Sequence, residues 1–313
     1  MKDITANSGK FIDPNTTAKG EDRAKVALSN PQTLWFNTGT LCNIECVNCY
    51  IESSPTNDAL TYIALAEMTA YLNQLKTRNW HVNEIAFTGG EPFMNPDMIP
   101  MAEAALARGY DVLILTNAMR PMMRPSVQRG LTRLNTAHPG KMTLRVSLDH
   151  HSAEHHDALR GTGSFDITLK GMDWLRDNAI PMAVAGRSIW NESEAEARAG
   201  FKALFTARQY DIGAANPGTC VIFPEMDMSV EVPEITTQCW DILGKSPDQV
   251  MCSSSRMVVK RRGAAPSVVA CTLLPYDPQF DLGETLEQAE QPVALNHPHC
   301  AKFCVLGGAS CSA

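Results

Sequence analysis

The chain has no apolar run approaching the 18 or more residues that a membrane-spanning helix needs, so no such span is expected. Its opening, Met1-Lys-Asp-Ile-Thr-Ala-Asn-Ser-Gly-Lys10, contains no apolar h-region and so carries no secretory signal. Positive charge is not in excess either: 27 Lys and Arg stand against 34 Asp and Glu, for a net charge of −7. A general nucleic-acid binder shows a basic stripe, and that class is set aside. Internal repeats and low-complexity segments are missing, which excludes solenoids and arrays. These absences describe a soluble, cytoplasmic protein that binds neither nucleic acid nor membrane. At 313 residues, one large domain and a smaller one are the natural expectation.

Cysteine is also absent from residues 50–219, which makes its clustering elsewhere informative. Of ten cysteines, three crowd into 42–49 and five into 252–311. In a cytoplasmic protein such groups read as metal ligands or reactive thiols rather than disulfides. The other two, Cys220 and Cys239, sit in apolar surroundings and are expected to be small buried hydrophobes.

The first group, Cys42-x-x-x-Cys46-x-x-Cys49, directly follows a strand-like run, Thr33-Leu-Trp-Phe-Asn-Thr38. Three thiolates on one short loop can hold three irons of a cubane cluster and leave the fourth iron without a protein ligand. A structural zinc site would want a fourth ligand and pairs split between two segments. Farther on, Gly89-Gly90-Glu91-Pro92 ends a second strand-like run, Glu84-Ile-Ala-Phe-Thr88.

After an irregular lead-in over 1–30, strand and helix signals alternate. Strands are predicted at 33–38, 83–88, 111–116, 142–148, 181–186 and 219–224, as short apolar runs of the kind found in parallel sheets covered on both faces. Helices are predicted over 59–77, where Leu65, Met68, Leu72 and Leu75 share a face, from Ser164 as cap to about Asn178, and from an Asn191–Glu194 capping box to about Arg208. The fold class is therefore α/β, a parallel sheet forming either a closed barrel or an open partial one. Beyond Ser246, Met257–Cys271 reads as a β-hairpin turning at Gly263, followed by a short helix-like stretch over 282–290. The polar motifs fall at the carboxyl ends of the strands, where ligands collect in such sheets. They include Asn117 after the third strand and Ser147 and Asp149 at the end of the fourth. His150, His151, His155 and His156 are read as a solvated face opening a helix, and Lys260-Arg-Arg262 as the exposed turn of the hairpin.

The cysteine triplet and Gly89-Gly90-Glu91-Pro92, in this order and spacing, resemble the radical S-adenosylmethionine (SAM) enzymes. The resemblance implies a partial (β/α)6 TIM-like barrel, with Cys42, Cys46 and Cys49 on a 4Fe–4S cluster whose open iron is chelated by SAM. It implies SAM contacts from Gly89, Gly90 and Glu91 along the methionine moiety, from Asn117, Ser147 and Arg160, and from backbone near Ile222. The residue before the third cysteine is usually aromatic in this family; here it is Asn48, with Tyr50 one place after the cysteine. The activity implied is reductive cleavage of SAM to a 5′-deoxyadenosyl radical that abstracts a substrate hydrogen, with a flavodoxin or ferredoxin as electron donor.

The second cysteine group resembles the auxiliary-cluster domains called twitch or SPASM. Cys252 and Cys271 flank the hairpin, and Cys300, Cys304 and Cys311 supply the remainder, four of the five holding one auxiliary 4Fe–4S cluster. A zinc site is the alternative. The implied division is an arm at 1–30, the partial barrel at 31–246, and a twitch-like domain with the hairpin at 247–313. Only 41 residues precede Cys42 and they lack core-forming periodicity, so a small-molecule substrate is expected, or a peptide delivered by a separate leader-binding partner. A non-catalytic iron–sulfur or zinc scaffold is the alternative from another class.

Overall fold

Apolar runs of five to seven residues, buried on both faces, make the central strands. The computed structural model describes residues 9–78, 80–224 and 230–307; Cys311 lies outside them. The first half runs β1 (Lys25–Val26), β2 (Thr33–Asn37), α1 (Leu65–Arg78), β3 (Glu84–Thr88), α2 (Met98–Leu106), β4 (Asp111–Thr116), α3 (Pro125–Ala137) and β5 (Met142–Ser147). Then come α4 (Ala153–Arg160), α5 (Ser164–Asp177), β6 (Met182–Ser188), α6 (Glu194–Arg208), β7 (Cys220–Pro224), α7 (Cys239–Leu243), β8 (Ser255–Lys260), β9 (Pro266–Val269) and β10 (Val293–Ala294).

The main sheet has the order β7-β6-β5-β4-β3-β2-β8-β9. From β2 to β7 each strand pairs in parallel with its sequence neighbour. β7 and β9 are its two edges, so the sheet is an open partial barrel rather than a closed one. The hairpin turns at Gly263, with φ +73, as expected. Its arms extend the barrel's own sheet: β8 lies parallel to β2, in register from Thr33↔Ser255 to Phe36↔Val258. A buried edge on β2 would leave its N–H and C=O groups unpaired, and β8 removes that cost. Lys260, Arg261 and Arg262 meet Glu67, Asp281 and Asp58, so that turn is pinned by carboxylates.

Several local expectations shift for identifiable reasons. α1 begins at Leu65, not 59, because 59–61 run extended, Leu60 receiving Thr40 N–H and Thr61 donating to Lys260. Its Met68, Leu72 and Leu75 are buried as the periodicity required. The capping box of α6 is Ser193 with Glu196, two residues later than expected, because Asn191 adopts φ +57 outside the helix. Ser164 is the first residue of α5 rather than its cap. The Asp157 carboxylate takes the N–H groups of Gly163 and Phe165 and the Ser164 hydroxyl. Over 282–290 only Gln288–Glu290 form a single 3-10 turn, since the Gln288 side chain accepts the Glu284 and Thr285 N–H groups.

The lead-in is irregular but anchored. Arg23 is buried and bridges to Glu234 at 2.5 Å, and β1 pairs antiparallel with β10. No helix among the described residues is long and apolar enough to cross a membrane.

Two helix glycines separate packing from propensity. A Cβ on Gly171 of α5 would lie 2.0 Å from the Ala118 carbonyl oxygen, whereas one on Gly130 of α3 would meet only the Ile99 side chain, at 2.8 Å or more. Gly171→Ala is expected to destabilise the apoprotein by about 1–3 kcal/mol. Gly130→Ala should stay within about 1 kcal/mol of wild type, as Ile99 yields and helix propensity improves. Denaturant midpoints check both; equal effects would refute the packing argument.

Candidate active site

The loops at the carboxyl ends of the parallel strands line one cavity that opens to solvent. Cys42, Cys46 and Cys49 line it together with Gly89, Gly90, Asn117, Ser147 and Arg160. The cysteine loop is tied down by backbone bonds: Cys42 N–H to Ser54 (3.0 Å), and Val47 N–H to Leu159 at the end of α4 (2.8 Å). Gly90 and Glu91 N–H groups donate to Gly39 and Leu41 (2.8 and 3.1 Å). A Cβ on Gly90 would sit 2.2 Å from the Leu41 oxygen, so this glycine is required for the two loops to touch.

Burial pushes the Cys42 thiol up to about 12 and raises that of Cys46. Such thiols shed their protons when a cation replaces them. Among the described residues, no cysteine belongs to a group of three ligand atoms all within 4.8 Å of one another. One tetrahedral zinc would hold its sulfurs ~3.8 Å apart. At least one sulfur–sulfur separation on the loop is therefore wider than a single ion needs.

Glu91 is placed differently from what the resemblance implies. It is buried and does not line the cavity. Its carboxylate accepts the Thr116 hydroxyl (2.9 Å) and the N–H groups of Asn117 (2.8 Å) and Phe93 (3.3 Å). Burial nevertheless raises its pKa to about 7. Asn117 in turn donates from Nδ2 to Asn43 (2.9 Å), steadying the cysteine loop. Ile222 is likewise outside the lining; its neighbours Phe223 and Pro224 are in it.

Arg160 makes a two-pronged pair with Asp149, Nε–Oδ2 2.6 Å and Nη2–Oδ1 3.1 Å. Burial opposes the charge on Arg160, but Asp149 and then Cys46 push its pKa above the ordinary value. Burial also works against the Asp149 carboxylate, and Arg160 holds it below its usual range. Sequence reasoning placed Asp149 near the site without a role, and missed Arg145, Arg187, Leu273 and Phe303, all of which line the cavity. Arg145 and Arg187 had a signal, a charge two residues from a lining Ser147 or Ala185 on an apolar strand. Phe303 had none: it reaches the cavity from the far end of the chain and stacks on Phe223, centroids 5.4 Å apart.

The second cysteine group also converges. Cys252 precedes β8 and Cys271 follows β9, so the antiparallel hairpin brings both to one end. Cys300 opens a π-helical segment, Cys300–Leu306; burial first, then Cys271 and Cys252, raise its pKa well above normal. Cys304 is half-buried one turn on. Beside them Arg256 is buried, its guanidinium bonded to the carbonyls of Cys252, Ala289 and Ser255 (2.6 to 2.9 Å). Burial pulls its pKa down to about 10, opposed by Cys252 and Cys271. A buried cation beside thiols fits a site whose thiols become thiolates on metal binding. Cys220 is fully buried, in keeping with a structural role.

The histidines are not a solvated helix face. α4 begins only at Ala153, and His150 and His156 are buried. Burial, then the neighbouring His151 or Arg160, lowers each to about 4. His156 Nδ1 accepts the Asp149 N–H (3.2 Å), and His155 stacks on Trp190.

The family model of the radical SAM superfamily matches residues 36–192. The chain is 32% identical over 154 residues to the antilisterial bacteriocin subtilosin biosynthesis protein AlbA of Bacillus subtilis, covering 48% of this chain and 32% of that protein. It is 27% identical over 161 residues to the AdoMet-dependent heme synthase of Methanosarcina barkeri, covering 51% and 43%. With the mycofactocin maturase MftC of Mycobacterium tuberculosis it shares 30% over 148 residues, covering 47% and 35%. The matched stretch thus spans less than half the length of these relatives. Streptococcus suis SuiB bound to S-adenosylmethionine shares the fold with a TM-score of 0.59 at 13% identity, over 82% of this chain and 63% of that one. Native anSMEcpe with bound AdoMet does so with a TM-score of 0.59 at 14% identity, over 87% and 83%.

The Glu91 carboxyl has a pH signature. Its folded-state pKa of about 7 lies above the ordinary value of 4.5, so the folded state binds the extra proton between these limits. Its contribution therefore favours folding at low pH and is lost as pH rises from about 4.5 to about 7. The buried histidines act in the opposite sense, so the quantity to measure is wild-type minus Glu91→Gln stability of the apoprotein. That difference should fall by up to ~3 kcal/mol across this window. A flat difference would refute the assignment.

Proposed function

The chain belongs to the radical SAM superfamily, and from that premise we propose that it is an enzyme that abstracts a hydrogen atom from a peptide substrate. The observation that carries this reading is the meeting of Cys42, Cys46 and Cys49 with the Gly89-Gly90 loop on one cavity. When bound, the 4Fe–4S cluster delivers the electron that cleaves SAM to methionine and a 5′-deoxyadenosyl radical.

In this reading Cys42, Cys46 and Cys49 each hold one iron. Gly89 and Gly90 keep the adjoining backbone low, so that the methionine end of SAM can lie along it. Ser147 and Arg160 face the same cavity, and Arg160, aimed by Asp149, would hold the SAM carboxylate. Glu91 stays internal and sets the loops. Asn117 supports the cysteine loop through Asn43. Phe223, Leu273 and Phe303 form an apolar wall that excludes water from the radical.

The region 247–313 is read as a twitch-like auxiliary domain following a barrel over 31–246 and an arm over 1–30. Cys252, Cys271 and Cys300 would hold a second 4Fe–4S cluster, with Cys304 or Cys311 as the fourth ligand. The buried Arg256 supports this assignment, since its charge then has an anionic neighbour. A cytoplasmic location and a flavodoxin or ferredoxin donor go with such chemistry.

Peptide substrates are supported by the relatives named for bacteriocin biosynthesis and for maturation. A small anionic metabolite is the second reading. It is favoured by Arg145 and Arg187 in the cavity wall and by the relative named a heme synthase.

Anaerobically reconstituted protein should carry about eight irons, and Cys42→Ala/Cys46→Ala/Cys49→Ala about half of that. Dithionite-reduced wild type should form 5′-deoxyadenosine from SAM, and the triple variant none. Stoichiometric zinc with no iron, or no cleavage by fully loaded protein, would refute the enzyme. Removing residues 298–313 should cost only the auxiliary irons. Full iron in that truncation would move the auxiliary site elsewhere.

A further inference from the structure

Outside the cavity, three ligand-type side chains meet where the loop after β5 crosses the loop after β6. They are His150, His151 and Glu192, and their ligand atoms all lie within 4.8 Å of one another. His150 Nε2 is 3.1 Å from Glu192 Oε1, and His151 Nε2 is 3.7 Å from Glu192 Oε2. Ligand atoms 2.0–2.1 Å from one tetrahedral ion stand ~3.3 Å apart, close to the two separations from Glu192.

Two further observations point to a cation here. Glu192 Oε1 is buried, with His150 Nε2 3.1 Å away, so the two atoms face the same point. The second is the recess that holds His151. A Cβ on Gly200 of α6 would lie 2.2 Å from His151 Cδ2 and Nε2, so a larger residue there would push the ring out of this position. Phe201 supports the same ring edge-on, centroids 5.8 Å apart. On His150, Ser152 meets Nδ1 with both its hydroxyl (2.8 Å) and its N–H (3.0 Å), which leaves Nε2 directed at Glu192.

We propose that His150 Nε2, His151 Nε2 and one Glu192 oxygen form a site for a single first-row divalent cation, zinc above all. Two imidazoles and one carboxylate are a zinc or iron(II) donor set with a position left for water, whereas calcium and magnesium want oxygen ligands throughout. The Ser152 hydroxyl and N–H both meet His150 Nδ1 and orient the ring. The ion clips the β5 loop to the β6 loop directly behind Asp149, whose carbonyl accepts the Arg187 N–H (2.9 Å). It is thus a positioning device for the Asp149–Arg160 pair.

The test uses full-length protein with its iron–sulfur clusters reconstituted. Zinc is added anaerobically, weakly bound metal is removed on a desalting column, and zinc and iron are counted by mass spectrometry. Wild type should retain about one zinc more than Glu192→Gln, His151→Ala or Gly200→Ala, at equal iron content. Equal iron shows that the variants fold. Added zinc should also raise the melting temperature of wild type but not of Glu192→Gln. Zinc retention indifferent to all three substitutions, or no zinc retained by wild type, would overturn the site.

Discussion

One buried carboxylate holds together the loops from which the candidate active site is made. Glu91 ties β3's loop to β4's through Thr116 and Asn117, while its own N–H binds Leu41 of the cysteine loop. Asn117 carries the connection back to Asn43, beside Cys42. Three loops that would each be mobile alone become one unit. The carboxyl end of a parallel sheet offers only strand ends and turns, so such an internal knot has to come from a side chain. Gly90 is its steric counterpart, since any Cβ there would strike the Leu41 oxygen and separate the loops.

Electrostatics repeats one design at two places. Near the first cysteine group a charged Arg160 is half-buried beside Cys46, and near the second a charged Arg256 is buried beside Cys252 and Cys271. Asp149 balances the first, whereas the second leans on carbonyl dipoles. Thiolates gathered on a metal would add the missing negative charge in both. Each arginine thus prepares its pocket for an anion before that anion is made.

The strands of the barrel are legible because each is a continuous apolar run, and the cysteine loop because its spacing is dense and unshared with the next 170 residues. Side-chain direction is less so. Glu91 stands next to cavity residues but turns its carboxylate onto Thr116 and Asn117, which a motif cannot state. His150 and His156 look polar on paper and are buried, His156 against Phe165 with its Nδ1 on the Asp149 N–H. The parallel pairing of β8 with β2 was hidden too, since local pattern defines a hairpin but not its neighbour. Phe303 joins the cavity only through tertiary closure.

The seam between β1 and β10 has a bearing on biosynthesis. Arg23 reaches the carbonyl of Leu295 across 272 positions of sequence. A ribosome releases the amino end first, so β1 waits for its partner until nearly every described residue has been made. The strands around the cysteine loop can assemble well before then, because each pairs with a neighbour close in sequence. For that interval Leu273 and Phe303 have not been translated, and the mouth of the cavity stands unroofed. The order of synthesis thereby adds the Leu273 and Phe303 side of the cavity after the strands that carry the cysteine loop.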